Sequence, residues 1–382
     1  MSYSCSLKVA GILFLFLLTA LQSIGQQENA EACISDMIQK NEAVGMSVAV
    51  VKKGKIIYTQ SFGLKDIDAN TPLTNDGIFR IASISKSFSA TSIMQLVEQK
   101  KLSLDDDISN LVGFKIRNPA FPSTVITLQM VLSHRSSIND SQGYFTLDAI
   151  NPDKNADWVK CYNTYEPGTG YMYCNLNYNM VGTIIEKFSG ERFDQYVKHH
   201  VLDPLGLYGG YCVDSLDSSK FVTLYEYNVD SNKYYASPAA YAPRREEIAR
   251  YVMGYSTPVF SPTGGMKISA TGLAQYMIMH MQQGRYKGKK IISKKSSRQM
   301  QAKISAKEGY GFAILTSDKL ISGKTVRGHT GSAYGLYSAM FFHPKEKWGI
   351  VVISNGCLPD YSDGFNTVIR KTVNCLYNEF VK

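Results

Sequence analysis

The sequence predicts an α+β (α/β) fold: an antiparallel sheet of about five or more strands from both chain ends, flanked by helices, with an inserted, mostly helical region. Three observations favour it. Strand-like apolar runs fall in the two outer parts, about 40–82 and 305–360. Helical patterns separated by Pro- and Gly-containing loops occupy about 101–300. No linker, repeat or low-complexity tract divides residues 26–382, which we therefore treat as a single domain.

The N-terminal elements follow from local pattern. A helix is predicted at about 28–41, and the runs Met46 to Val51 and Lys55 to Phe62 predict two strands joined by a hairpin at Lys52-Lys53-Gly54. From Ser83 onward a helix is predicted whose apolar residues recur on one face, so we expect burial on that side. That face is formed by Ala90, Ile93, Met94 and Val97.

Later elements follow in the same way. Helical patterns cover 177–188 and 271–281, whereas the polar, Tyr-rich stretch 215–245 predicts a long loop or lid. Strands are predicted at 309–315, 334–342 and 349–354, with a turn at 343–346, and a last helix is expected from about 362.

The N-terminus has the pattern of a secretory signal peptide over residues 1–25. Lys8 precedes thirteen mostly apolar residues, and the small-residue exit Ser23-Ile24-Gly25 follows. A bilayer span needs about 20 apolar residues, so a stable membrane anchor is the weaker interpretation. We expect an exported chain, either periplasmic or secreted.

Charge and residue spacing narrow the function class. Residues 1–25 contain one base, Lys8, and no acid, so their removal lowers the net charge from +9 to +8. This modest, scattered excess does not favour nucleic-acid binding. No Cys or His spacing indicates a metal site, and we expect no cofactor. Six cysteines follow residue 25, an even number whose pairing, if any, the sequence does not give; they are Cys33, Cys161, Cys174, Cys212, Cys357 and Cys375.

Ser83 and Lys86 form the first candidate catalytic pair. In the run Ser83-Ile84-Ser85-Lys86 the two residues are three apart, so on a helix the Lys86 amine reaches the Ser83 hydroxyl. The first-turn amides of a helix have no intrahelical partner, so the Ser83 amide is free to face a developing oxyanion. Because Ser and Lys are both common, this spacing indicates a nucleophile only when further catalytic motifs accompany it.

Two further sequence patterns are candidate catalytic motifs. Tyr173-Cys174-Asn175 lies in a loop before a helical run, and His329-Thr330-Gly331 stands just before a predicted strand. Each lies where a cleft between the sheet and the helical region would need it. With its flanks the chain resembles the class C β-lactamase and DD-peptidase group of penicillin-recognising serine hydrolases, whose motifs are Ser-x-x-Lys, Tyr-x-Asn and Lys- or His-x-Gly. The supporting flanks are 78–83, 126–134, 203–207 and 262–266.

The resemblance implies one catalytic domain over 26–382 and a role for each motif residue. Ser83 would attack a carbonyl to form an acyl-enzyme, with Lys86 and Tyr173 sharing proton transfer. Burial would lower the pKa of Lys86, and a nearby Lys86 would favour the Tyr173 phenolate. Asn175 would hold Lys86 and a substrate amide. The backbone amides of Ser83 and Ser332 would form the oxyanion hole. A substrate carboxylate would bind at the strand edge formed by His329, Thr330 and Gly331.

Two residues depart from the usual family motifs and bear on which substrate the chain prefers. His329 stands where dedicated class C β-lactamases usually carry Lys, and a neutral His holds a carboxylate less firmly. Cys174 replaces the usual Ser, and either removes a hydroxyl or forms a disulfide, for which Cys161 is near enough in sequence. We therefore expect a peptidase or esterase acting on D-amino-acid peptides, amides or esters, including peptides of the peptidoglycan type. The alternatives are a true β-lactamase and a catalytically weak sensor of cell-wall peptides.

Overall fold

The computed structural model describes Gly25 and residues 27–382. The predicted signal peptide, 1–25, lies outside these residues except for Gly25. Among the described residues, no helix is long and apolar enough to cross a membrane.

Seven strands form one antiparallel sheet that joins the two ends of the chain. Three come from the N-terminal part and four from the C-terminal part: β1 (Ala43–Lys52), β2 (Lys55–Asp66), β3 (Thr71–Pro72), β4 (Leu315–Ile321), β5 (Lys324–Ala333), β6 (Leu336–His343) and β7 (Trp348–Cys357). Their spatial order is β4–β5–β6–β7–β1–β2–β3. The predicted fold class is confirmed, as is the hairpin between the first two strands.

Strand β1 lies inside this sheet and is buried on both faces. Val48 pairs with Val352 of β7 and with Gln60 of β2. Because successive side chains of a strand alternate between faces, Met46, Val48 and Val50 enter one hydrophobic cluster, whereas Ala49 and Val51 enter the other. The sheet therefore separates two cores.

Within the described residues, five longer helices surround the sheet: α1 (27–39), α2 (Ser85–Glu98), α3 (Asn175–Ser189), α4 (Ala270–Met281) and α5 (Thr367–Leu376). Helices α1 and α5 cover the face that carries Met46, and the disulfide Cys33–Cys375 links them across 342 residues of sequence. Helices α2, α3 and α4 pack on the opposite face. The molecule thus has helices on both sides of the sheet.

The inserted region is less regular than predicted. Apart from α3 and α4, its helices within 101–300 have seven residues or fewer: Ile108–Val112, Leu128–Leu132, Phe193–Val197, Asp203–Leu205, Arg245–Ala249 and Lys294–Met300. Part of the predicted loop 215–245 is a hairpin of Tyr225–Asn228 with Lys233–Ala236. The remaining short strands are Phe79–Arg80, Gly209–Gly210, Lys267–Ile268, Arg285–Tyr286, Lys289–Lys290, Tyr361–Ser362 and Phe365–Asn366.

Two expectations about strands and one about burial were wrong. The run 309–315 is not a strand, because Gly309 and Ala313 have positive φ and interrupt an extended backbone. The His329 motif lies inside β5 instead of before a strand. Helix α2 is buried almost all round, including its Ser and Thr side chains, which donate to or share hydrogen bonds with neighbouring groups such as Pro262 O and the Tyr276 hydroxyl.

Candidate active site

Ser83 lies in a tight turn between the short strand Phe79–Arg80 and helix α2. A 3₁₀ turn spans Ala82–Ile84, and Ala82 has a left-handed backbone with φ of 49°. Every residue from Ile81 to Ala90 is buried except Ser83, which is partly exposed. The turn therefore presents one hydroxyl to the outside of an otherwise closed segment, and it stores backbone strain of the kind found at functional sites.

Lys86 lies under that hydroxyl and is fully buried. Its Nζ is 3.2 Å from Ser83 Oγ and donates to Asn175 Oδ1 at 2.9 Å and to the Thr263 carbonyl at 3.0 Å. Burial lowers the pKa of Lys86 to about 7, while the charge of Asp140 acts in the opposite direction. Near neutral pH much of Lys86 is therefore a free amine positioned to accept the Ser83 proton.

Helix α3 brings Asn175 to Lys86, and Asp140 fixes its orientation. The Asp140 carboxylate accepts from the Asn175 and Leu176 backbone amides at 2.8 and 2.9 Å, and from the Asn175 side-chain amide at 2.9 Å. This carboxylate caps the helix N-terminus, where a negative charge is favourable. Because the Asn175 amide nitrogen is held by Asp140, its oxygen points to Lys86.

Tyr173 lies beside the same lysine. Lys86 Nζ is 4.7 Å from the centre of the Tyr173 ring. Burial raises the pKa of Tyr173 above its ordinary range, and the nearby Ser83 hydroxyl offsets only part of that rise. The Tyr173 oxygen is buried, and among the described residues no group meets it with hydrogen-bond geometry. The expected preference for phenolate is wrong, because desolvation dominates; the phenol stays protonated at neutral pH.

Strand β5 passes close to the Ser83 turn. A side chain at Gly331 would overlap the Ile81 carbonyl oxygen and the Ser338 hydroxyl, so only glycine allows this approach. Residues after Gly328 pair with β6 but not with β4. The unpaired edge of β5 therefore runs beside the turn, where Thr330 is partly exposed and Ser332 is exposed.

His329 is on β5 but both of its ring nitrogens are already engaged. Nε2 lies 2.9 Å from the Tyr310 hydroxyl, and Nδ1 lies 2.5 Å from the Thr330 carbonyl. Since a carbonyl accepts only, Nδ1 carries the proton and Nε2 accepts from Tyr310. Burial lowers the pKa of His329 to about 4, so the ring is neutral at pH 7. It thus offers a substrate carboxylate neither charge nor a free N–H.

Cys174 and His134 support the second motif from behind. Cys174 is a free, buried thiol that donates to Asp140, and Cys161 is also free, so the disulfide considered between them is not formed. His134 Nδ1 accepts from the Cys174 amide at 3.1 Å, and its ring lies 4.3 Å from that of Tyr173. Both groups are therefore parts of the wall behind the catalytic tyrosine candidate.

A family model described as Beta-lactamase matches residues 30–371, which is most of the chain. The chain belongs to the beta-lactamase family. This family consists of serine hydrolases, and the Ser83, Tyr173 and His329 motifs all fall inside the matched region.

Relatives and solved structures agree with this membership. "Protein flp" of Staphylococcus aureus (strain MW2) is 23% identical over 348 residues, covering 86% of this chain and 63% of that protein. The chain thus spans less than two thirds of that relative. The octameric penicillin-binding protein homologue from Pyrococcus abyssi matches with a TM-score of 0.72 and 25% identity, over 91% of this chain and 78% of that one. D-amino acid amidase from Ochrobactrum anthropi SV3 matches with a TM-score of 0.70 and 20% identity, over 93% and 99%.

The fold brings Ser83, Lys86, Tyr173 and Asn175 together, with β5 alongside. Four other residues of this family member's site were not predicted. Thr263 and His134 lie in the flanks that carried the resemblance, whereas Asp140 and Tyr310 have no sequence signal of their own. Across the described residues, no three His, Cys, Asp or Glu side chains cluster as metal ligands do.

Proposed function

We propose that this chain is an exported serine hydrolase that forms an acyl-enzyme on Ser83 and acts on D-amino-acid peptides, amides or esters. The observation that carries the proposal is the buried Lys86 amine, with a pKa near 7, at 3.2 Å from a partly exposed Ser83 hydroxyl. A lysine with an ordinary pKa would be charged at pH 7 and could not act as a base.

Acylation would proceed as follows. Ser83 Oγ bonds to the substrate carbonyl carbon as its proton moves to Lys86 Nζ, and the carbonyl oxygen becomes negative. The Ser83 and Ser332 amides are the proposed donors to that oxygen, an arrangement worth about 3 kcal/mol per donor in other hydrolases. The leaving group then departs with a proton from the Tyr173 phenol, which regains one from the Lys86 ammonium. Water attacks the ester with Lys86 again as base, releasing the acid and Ser83.

The preference for amides and esters over β-lactams is supported by His329. A neutral ring whose two nitrogens are occupied by Tyr310 and Thr330 is a poor partner for the carboxylate that β-lactams and D-Ala-D-Ala peptides both carry. The amidase match is under 25% identical and supports the fold alone, so D-amino-acid substrates are our inference from the motifs.

Covalent labelling tests the nucleophile. A fluorophosphonate should add once, on Ser83, and the adduct should vanish in Ser83→Ala. Ser87→Ala is the matched control, because Ser87 is buried one turn further and donates only to a nearby carbonyl, Ile84 O. An unlabelled wild type, or a label that persists in Ser83→Ala, would favour the sensor alternative.

A substrate panel tests the class. The panel contains a D-Ala-D-Ala peptide, a D-amino-acid amide, a short nitrophenyl ester and a chromogenic cephalosporin. We expect the peptide, the amide or the ester to have the highest kcat/KM. Turnover of the cephalosporin far above the other three would replace our proposal by the β-lactamase alternative.

A further inference from the structure

A cavity of about 420 Å³ adjoins the Ser83 turn without including Ser83 or Lys86. Its wall contains Arg80, three residues before Ser83, and Tyr334, two residues after Ser332. The loop 261–265 separates it from the catalytic lysine: the Thr263 carbonyl accepts from Lys86, and the next carbonyl, Gly264 O, accepts from Arg80 Nε at 3.0 Å. The loop 261–265 and the Ser83 turn therefore border both the cavity and the catalytic pair.

Two basic side chains lie side by side in this wall. Arg80 and Lys267 are directly opposite each other in the antiparallel pairing of Phe79–Arg80 with Lys267–Ile268. Directly opposite residues of an antiparallel pair point to the same face, where like charges repel. Lys267 is only 4% exposed, and burial together with the Arg80 charge lowers the pKa of Lys267 well below its ordinary range. A carboxylate bound between the two side chains would offset the repulsion and favour the protonated amine.

Neither basic side chain has a carboxylate partner among the residues the structure describes. Arg80 donates to Gly264 O, Ala240 O and Ser261 Oγ, and Lys267 donates to Tyr211 O at 2.6 Å. The acids nearby are taken by other bases: Asp214 pairs with Arg245, Glu247 with Arg244, and Asp194 with Arg192. Three of the five guanidinium N–H groups of Arg80 are used, which leaves two, and Lys267 keeps two.

We propose that this cavity binds a carboxylate carried by the substrate, between Arg80 and Lys267. The inference rests on the proposed hydrolase function and deepens it: the preferred substrate carries an anionic substituent, on either its acyl group or its leaving group. Tyr334, whose ring lies 4.8 Å from the Arg80 guanidinium carbon, forms the side of the site nearest β5.

Two ester pairs test this and separate the two positions of the carboxylate. The acyl pair is the 4-nitrophenyl monoester of glutarate against 4-nitrophenyl valerate, which differ by a carboxylate in place of a methyl group. The leaving-group pair is the valerate ester of 3-hydroxybenzoate against phenyl valerate. For each pair the measured quantity is the ratio of kcat/KM, anionic over neutral.

In Lys267→Met we expect one of the two ratios to fall about tenfold or more, since hydrogen bonds to charged groups are the stronger ones. The pair whose ratio falls identifies the side of the substrate that carries the carboxylate. Lys40→Met, which replaces an exposed lysine that directly follows α1, should leave both ratios unchanged. Unchanged ratios in Lys267→Met for both pairs would overturn the inference. Lys267→Met also removes the hydrogen bond to Tyr211 O, so the melting temperature of the variant is measured first to establish that it is folded.

A direct binding measurement distinguishes failure of the anion site from failure of the proposed catalytic function. Calorimetric titration of Ser83→Ala with glutarate should show binding that weakens about tenfold in Ser83→Ala/Lys267→Met. If no ester is turned over and Ser83 takes no label, the proposed function fails, and the titration alone decides the cavity. Absence of glutarate binding to Ser83→Ala in that case would overturn the anion site as well.

Discussion

Replacing Lys86 by Met should abolish acylation and yet stabilise the fold. The folded state lowers the pKa of Lys86 from 10.5 to about 7. Each pKa unit is worth 1.36 kcal/mol, so keeping this amine charged in the folded state costs about 5 kcal/mol. Met has a similar shape and no charge to desolvate, and removing Lys86 therefore removes that cost.

The lost hydrogen bonds offset part of this gain. Lys86 donates to Ser83 Oγ, Asn175 Oδ1 and Thr263 O, but Ser83 is partly exposed to water and Asn175 Oδ1 keeps a bond from Thr263 Oγ1 at 2.9 Å. Leaving the Thr263 carbonyl and part of Asn175 unpaired costs roughly 1–3 kcal/mol. We therefore expect Lys86→Met to be about 2–4 kcal/mol more stable than the wild type at pH 6–7.

The sign of the pH dependence follows from the same shift. Between pH 7 and 10.5 the unfolded chain holds a proton on Lys86 that the folded chain has released, so wild-type stability rises with pH in this window. The advantage of Lys86→Met is thus largest below pH 7 and decreases towards pH 10.5. Urea unfolding at pH 6 and pH 9 measures it, with Lys40→Met as the exposed-lysine control. A Lys86→Met chain less stable than wild type at pH 6, or an advantage equal at both pH values, would show that Lys86 is not desolvated in the folded state.

Three further substitutions test other parts of the site. Asp140→Asn should lower the free energy of unfolding by about 1–2 kcal/mol, because α3 loses its charged cap. It should also lower the pH midpoint of acylation, because the Asp140 charge raises the pKa of Lys86. A midpoint shifted upward would contradict this. Gly331→Ala should reduce kcat/KM at least tenfold and lower the free energy of urea unfolding by about 1–3 kcal/mol, because the added Cβ overlaps Ile81 O. Wild-type kinetics in this variant would show that activity does not require the close approach of β5 to the Ser83 turn. Cys33→Ala/Cys375→Ala should lose about 2–5 kcal/mol of stability with kcat/KM unchanged, because the disulfide lies across the sheet from Ser83; an equal loss of activity would contradict that separation.

Local pattern predicted much of the fold. The β1–β2 hairpin and helices α3 and α4 begin and end close to the predicted residues, because their apolar periodicity and flanking Gly and Ser residues act over short distances. The run 309–315 has strand composition, but positive φ at Gly309 and Ala313 depends on tertiary contacts that composition does not encode. The burial of α2 on all sides was missed for a related reason: the partners of Ser89 and Thr91 lie more than 170 residues away.

The site was predictable where one motif contains the contact. Ser83 and Lys86 are one turn apart, so their proximity follows from helix geometry. Asp140 was not predictable, because it meets Asn175 from 35 residues upstream, and the Tyr310 bond to His329 is likewise a product of the fold. The protonation of Tyr173 was mispredicted because its burial outweighs its neighbours.

In the proposed mechanism, Lys86 is the base that activates Ser83. The most direct measurement is the pre-steady-state rate of Ser83 acylation by 4-nitrophenyl acetate between pH 5 and 9.5, followed as a nitrophenol burst. We expect a rate that rises with pH to a plateau, with a midpoint near 7 where Lys86 loses its proton, and no burst in Lys86→Met. A burst that persists in Lys86→Met, or a rate still rising at pH 9.5 without a midpoint near 7, would contradict it.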